Sequence, residues 1–371
     1  MPPFDFQPLG RVIFESNGLS RLGEAARSLA ASHVLLVTDP GLERSGHPQR
    51  AQKFLQEAGV KVTLFDGVIE NPSEKEVATG AELARKARVD AIVAVGGGSS
   101  MDCAKGINFI LTNGGKMADY KGHDKATKPM LPSIGVPTTS GTGSEAQSYA
   151  LISDPVTHLK MACGDKKAAF RVSILDPDLT LTQPRGVTAA TGIDALSHAV
   201  ESYVCLKANP FSRMASLSAF RHLESNLEIV LKEPSNYAAR SAMQIGSHFA
   251  GMAIEAAMLG VCHSCANPLT ARFGVVHGTA IGIMLPHVVR FNAANAERDY
   301  NDLCGHSAAW LADRIDALVR AAEMPTRLRD VNVTKDSLPG LAEEANMQWT
   351  ARFNPRPVTS KDIHGLYDSA W

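Results

Sequence analysis

Ala91-Ile-Val-Ala-Val-Gly-Gly-Gly-Ser-Ser-Met-Asp-Cys-Ala-Lys105 is the stretch on which the fold is read. Its opening run of small and branched apolar residues, Ala91 to Val95, has the length and character of a strand buried in a sheet. Gly96, Gly97 and Gly98 follow at once, and a helical pattern resumes through Ile110. Glycines let the backbone approach a phosphate, and the start of a helix presents unpaired N–H groups to an anion. The spacing is not G-x-G-x-x-G, so the usual Rossmann fingerprint is absent. A plain tight turn from strand to helix would use the same residues.

Working outward, the same alternation recurs on both sides. His33 to Thr38, Lys61 to Phe65 and Ser133 to Val136 read as further strands, and Ser73 to Glu76 forms a capping box that opens a helix toward Arg88. Strands alternating with helices imply parallel pairing in an α/β layer. From about Gln183 the pattern turns long and helical, over Ala189 to Val204, Met214 to Leu231 and Ala238 to Leu259, with Pro184 and Pro234 as punctuation. A chain of 371 residues suits two domains. The expected division is an α/β dinucleotide-binding domain with a parallel sheet over 1–184 and an all-helical domain over 185–371.

A second small-residue loop, Thr138-Thr-Ser-Gly-Thr-Gly-Ser144, follows a second strand. Its hydroxyls and N–H groups could cradle a phosphate or a ribose. Asp39 closes the strand from His33. A carboxylate there could accept from both ribose hydroxyls of NAD and would repel the 2′-phosphate of NADP. Asp39-Pro40-Gly41 is equally good turn chemistry.

In the helical half, Asp194 and His198 stand at i and i+4, which stacks both side chains on one helix face. His263 follows a helix read as ending near Gly260. His277 comes after Pro268 and Gly274, whose breaks allow the chain to turn back. One carboxylate and three imidazoles make an N/O donor set without thiolate, suited to Fe(II) or Zn(II). The remaining histidines, His158 among them, read as structural or surface residues.

Composition narrows the class. Hydrophobic residues are 44% and charged residues 20%, ordinary for a soluble globular protein, and a net charge of -1 suggests no nucleic-acid or anionic-membrane partner. The start, MPPFDFQPLGRVIF, lacks a basic segment followed by an apolar one, so no secretory signal is expected. No apolar run approaches the roughly 18 residues of a spanning helix. The six cysteines do not form a disulfide framework, and the Cys262-x-x-Cys265 pair reads as small residues in a packed helix. A cytoplasmic protein is expected.

Taken together, Gly96 to Lys105, Pro137-Thr-Thr-Ser-Gly-Thr-Gly-Ser-Glu145, Gly192-Ile-Asp-Ala-Leu-Ser-His-Ala-Val-Glu201, His263 and Gly274-Val-Val-His-Gly278 resemble the iron-containing (group III) alcohol dehydrogenase family. The order and spacing run across nearly the whole chain. The resemblance implies a dehydroquinate synthase-like architecture, with the site in a cleft between the two domains. It implies a metal-dependent, NAD-linked alcohol dehydrogenase or aldehyde reductase acting on a small alcohol or aldehyde. Asp194, His198, His263 and His277 would hold Fe(2+), or Zn(2+). Gly97, Gly98, Ser99, Asp102, Thr138, Thr139 and Thr142 would contact the dinucleotide, with Asp39 as ribose reader, Asn71 as a neighbour and Lys160 as a ribose contact. A homodimer or larger homo-oligomer is expected by the same likeness. One position departs: many members carry a histidine four residues after the third ligand, and here it is Asn267, which cannot titrate near neutral pH. Rival readings are a maleylacetate reductase, a polyol dehydrogenase, or a sugar-phosphate lyase of dehydroquinate synthase type. The last would call for clustered Lys and Arg, of which Arg272 is the nearest in sequence to the metal residues.

Overall fold

The computed structural model describes residues 4, 6–156 and 160–371, and His158 lies outside them. The chain divides into two compact units, one of Gln7–Thr139 with Ser144–Gln183, the other of Pro184–Trp371 with Ser140–Gly143 and the start of the chain.

The first unit is built on a six-stranded parallel sheet. Its strands are β1 (Arg11–Phe14), β2 (His33–Val37), β3 (Lys61–Phe65), β4 (Ala91–Gly96), β6 (Ser133–Pro137) and β9 (Val172–Leu175), in the order β1-β9-β6-β4-β2-β3. A smaller sheet holds β5 (Gly122–His123), β7 (Tyr149–Ser153) and β8 (Lys160–Gly164). Parallel neighbours need crossover connections, and α1 (Leu22–Ser28), α2 (Pro40–Glu43), α3 (His47–Glu57), α4 (Glu74–Ala87) and α5 (Gly98–Asn113) supply them. Side chains of β2 and β4 alternate between two cores, as the two-residue period of a strand requires. Leu35, Val37, Ile92 and Ala94 enter one, while Val34, Leu36, Val93 and Val95 enter the other. Both faces being covered, β4 and β6 are buried along their whole length. The capping box read at Ser73 is present: Ser73 N–H donates to the carboxylate of Glu76, and the Ser73 hydroxyl accepts from the start of α4. The short α6 (Pro177–Thr180) closes this unit.

The second unit is helical: α7 (Arg185–Val204), α8 (Pro210–Lys232), α9 (Tyr237–Ala256), α10 (Val261–Phe273), α11 (His277–Cys304), α12 (Ala308–Ala321), α13 (Leu338–Met347) and α14 (Ser360–Ala370). Helix α7 is buried on nearly every side, packed against α8, α9 and α11. A helix so enclosed belongs to the centre of a core, yet it carries Asp194, His198 and Glu201 among its buried residues. Among the described residues no single helix is long and apolar enough to cross a membrane.

Two details differ from the sequence reading. Helix α9 stops at Ala256 rather than running to Leu259, because Ala257 leaves helical geometry at φ -134, ψ -114 and the chain bends by 105° into α10. Gly260 therefore starts a helix rather than ending one. Pro268 sits inside α10 without ending it, and the break before His277 is made by Gly274 alone, in the left-handed conformation at φ 64.

Gly278 fixes how closely α11 approaches α7. A Cβ built there would lie 2.0 Å from the carbonyl oxygen of Ala190, a backbone atom that cannot swing aside. Gly278→Ala is expected to lower stability by about 1–3 kcal/mol, the usual range for forced overpacking. Thermal unfolding of the variant beside the wild type checks this.

Candidate active site

Asp194 and His198 lie one turn apart on α7, as helical periodicity places them, and both are buried. The bend between α9 and α10 brings in His263, the third residue of α10. The close approach of α11 brings in His277, its first residue. Asp194 Oδ1 is the focus. It lies 3.5 Å from His198 Nε2, 3.6 Å from His263 Nε2 and 3.6 Å from His277 Nε2. Donor atoms of Asp194, His263 and His277 all fall within 4.8 Å of one another. The His198 and His263 rings stack with centroids 5.0 Å apart.

These separations test whether a metal fits. They are too long for hydrogen bonds. Among the described residues Asp194 Oδ1 and His263 Nε2 are buried and have no hydrogen-bond partner. Four donors about 2.1 Å from a tetrahedral ion would stand about 3.4 Å from each other. The three spacings around Oδ1 match that edge, so Asp194, His263 and His277 fit a divalent ion, and His198 lies at a like distance from Oδ1. His277 is the donor open to approach, its side chain 22% exposed against 7% or less for the other three.

Electrostatics follow the packing. Burial raises the Asp194 carboxyl, but His198, His263 and His277 outweigh it and hold the group well below the usual carboxylate range. Burial pushes the His198 imidazole down to about 4, leaving it neutral and able to ligate. Burial also lowers His263, but the carboxylates of Asp194 and Glu201 prevail and bring it up to about 9. Glu201, one turn beyond His198, lies 2.6 Å from His263 Nδ1 through Oε2. The sequence reading assigned it no role, although its place seven residues after Asp194 marked the same helix face.

In the α/β unit, the glycine turn leads from β4 into α5. Gly97 caps that helix without a side-chain hydrogen bond, and a Cβ on it would touch Thr139 at 3.4 Å. The first N–H groups of α5 belong to Gly98 and Ser99. Asp39 sits beside the turn: its Oδ2 accepts from the Ser100 hydroxyl at 3.3 Å, and its Oδ1 accepts from Leu42 N–H at 3.0 Å as the cap of α2. Asn71 takes the left-handed conformation at φ 53 and donates its N–H to Ser99 Oγ. Thr138 donates its N–H to Gly96 O. Asp102 accepts from Ser144 Oγ at 2.5 Å beside the buried Lys105 ammonium, with Lys160 adding favourable charge. Burial nevertheless raises its carboxyl. Thr142 differs from the rest, since the loop tip Ser140–Gly143 groups with the helical unit. There Gly143 packs backbone to backbone on Gly251. Asn267, one turn after His263, donates to Gln348 Oε1 at 3.3 Å. Cys262 and Cys265 are fully buried, and burial pushes both thiols up, which suits core packing rather than reactivity.

Comparison with known proteins identifies the family. Two family models match, "Iron-containing alcohol dehydrogenase" over residues 10–177 and "Fe-containing alcohol dehydrogenase family, C-terminal" over residues 188–371. The 1,3-propanediol dehydrogenase of Citrobacter freundii is 37% identical, with 99% of each chain covered. A crystal structure of 1,3-propanediol oxidoreductase superposes with a TM-score of 0.95 at 36% identity, covering 100% of both chains. The sulfoacetaldehyde reductase of Bifidobacterium kashiwanohense, solved in complex with NAD+, superposes with a TM-score of 0.91 at 28% identity, covering 100% of this chain and 99% of that one. The chain belongs to the iron-containing alcohol dehydrogenase family and is an NAD-linked alcohol dehydrogenase or aldehyde reductase.

Proposed function

We propose that Asp194, His198, His263 and His277 together hold the family's divalent ion, Fe(2+) or Zn(2+), and that a small primary alcohol or its aldehyde meets it on the His277 side. The observation that carries this is the ring of nitrogens around Asp194 Oδ1 at 3.5–3.6 Å, with buried donor atoms left unsatisfied. A buried carboxylate costs several kcal/mol unless paired, and a divalent cation is the partner that this donor set suits. When bound, the ion supplies Lewis acidity toward the oxygen of the substrate. NAD supplies the hydride chemistry.

The chain's own residues do the rest. In this reading residues 1–184 serve the dinucleotide and 185–371 the metal and substrate. Gly97, Gly98 and Ser99 let the pyrophosphate reach the start of α5, where the helix dipole favours negative charge. Asp39 accepts from the ribose hydroxyls, with Asn71 as a neighbour. Thr138, Thr139, Thr142, Asp102 and Lys160 complete the cofactor contacts. Asn267 stands where many members of the family carry a histidine. Its amide can orient a polar group but cannot take a proton, so proton transfer passes through another route. A phosphorylated substrate is disfavoured, because Arg272 is half-exposed and already paired with Glu344. The six free cysteines, mostly buried, suit a reducing compartment. We therefore place the enzyme in the cytoplasm, as a homodimer, the commonest symmetry for soluble oligomers.

Three outcomes are expected. His263→Ala, or exhaustive chelation of the wild type, lowers alcohol oxidation by more than about 100-fold, since even loss of a group behind a ligand costs 10–100-fold. NADH absorbance with added Fe(2+) or Zn(2+) measures this, and full activity of verified metal-free protein would defeat the reading. Asp39→Gly moves the NAD/NADP preference toward NADP by about tenfold, the factor given by ~1.4 kcal/mol of relieved repulsion. Stability should fall only by a few tenths of a kcal/mol, because glycine is tolerated as an N-cap. An unchanged cofactor ratio would leave Asp39 a turn residue alone. Asn267→His introduces a group titrating near neutrality and displaces the pH profile of kcat/KM. A superimposable profile would put residue 267 outside the proton path.

A further inference from the structure

Helix α10 begins with an unusual set of partners. Its cap residue, Gly260, has no side chain, so the first N–H groups must find acceptors elsewhere. Val261 N–H donates to Asn354 Oδ1 at 3.3 Å, Cys262 N–H to Glu201 Oε1 at 2.8 Å and His263 N–H to Glu201 Oε2 at 3.4 Å. Asn354 is itself locked by a reciprocal amide pair with Asn292. A Cβ on Gly260 would stand 2.8 Å from Glu201 Oε1 and 2.9 Å from Asn354 Oδ1, so the glycine makes room for both acceptors. A buried carboxylate thus occupies the positive end of α10, where it is favoured.

The same carboxylate lies 2.6 Å from His263 Nδ1. A carboxylate only accepts, so Nδ1 keeps its proton in either charge state, and the nitrogen left to bind an ion is Nε2. Nε2 is the atom 3.6 Å from Asp194 Oδ1. The geometry points to Glu201 as the positioning residue of the metal centre: by capping α10 and binding His263 Nδ1 with one carboxylate, it fixes both the place of the third ligand and the tautomer in which that ligand can bind. This rests on His263 being a ligand. Glu201 is on α7, as are Asp194 and His198, so one helix supplies two ligands and the brace for a third.

The test uses the full chain, stripped of metal and titrated with Zn(2+) against a chromophoric chelator, with thermal unfolding of the metal-free protein measured in parallel. E201Q can keep an oxygen for Cys262 N–H but then turns an N–H2 toward His263 Nδ1, forcing the proton onto Nε2. It is expected to weaken Zn(2+) binding 10- to 100-fold, the range for loss of a ligand's supporting carboxylate, with little change in melting of the metal-free protein. E201D keeps the charge but draws the oxygens back by one methylene, and an intermediate loss of affinity is expected. If E201Q does not fold, E201D decides. Wild-type Zn(2+) affinity in either folded variant, with a lowered melting temperature, would make Glu201 a helix cap only and overturn the inference. Failure of the wild type itself to bind Zn(2+) would instead sink the assignment of the ligands.

Discussion

One oxygen atom organises the helical unit. Asp194 Oδ1 lies inside the core with no hydrogen bond among the described residues and three imidazole nitrogens around it, all held beyond hydrogen-bond reach. A buried carboxylate is costly unless a partner offsets its desolvation. The surrounding helices tolerate it because they converge there for another reason. α7 is enclosed by α8, α9 and α11, and the apolar contacts among them supply the driving force that polar groups in the centre oppose. The candidate site is thus embedded in the core of the helical unit. That keeps ligands from drifting, as a preorganised site requires.

Small residues in the helices serve the same end. Gly278 lets the start of α11 lie against Ala190 O, and Gly143 and Gly251 touch backbone to backbone. Each contact trades side-chain volume for proximity. At Gly278 the proximity bears on the candidate site, since His277 immediately precedes it and Ala190 lies one turn before Asp194. The separation of His277 from Asp194 is thus set by backbone contact between α11 and α7.

Much of this was legible before any coordinates. Asp194 and His198 share a face by helical periodicity alone, and strand, glycine turn and helix from Ala91 onward imply the parallel sheet. What was not legible depended on partners far along the chain. Ala257, Met258 and Leu259 are good helix formers, so the reading carried α9 through them. In the fold Ala257 and Met258 join Cys205 in a small cluster beside Trp349 and Phe353, and the backbone leaves the helix to reach it. Glu201 stood in plain view on the ligand face, yet its partners, Cys262 and His263, lie more than sixty residues later. Thr142 was read with its loop as one unit. The glycines on either side let that tip pack against the helical unit instead. Local period identifies a face, but only tertiary packing says what meets it.

Asp39 shows why two readings of one residue need not compete. As a turn residue it accepts from Leu42 N–H with one oxygen, and with the other it accepts from Ser100 at the start of α5. Neither bond leaves the carboxylate free to rotate. The structural role therefore holds an anion in a fixed direction beside the glycine turn, where a Cβ on Gly96 would come within 3.4 Å of Oδ2. A flexible acid at that spot could swing away from a 2′-phosphate at little cost. A held one can discriminate, because the repulsion is met without prior ordering and a ribose hydroxyl finds its acceptor already in place. In the proposed reading, the turn chemistry is what holds the carboxylate in place to be selective.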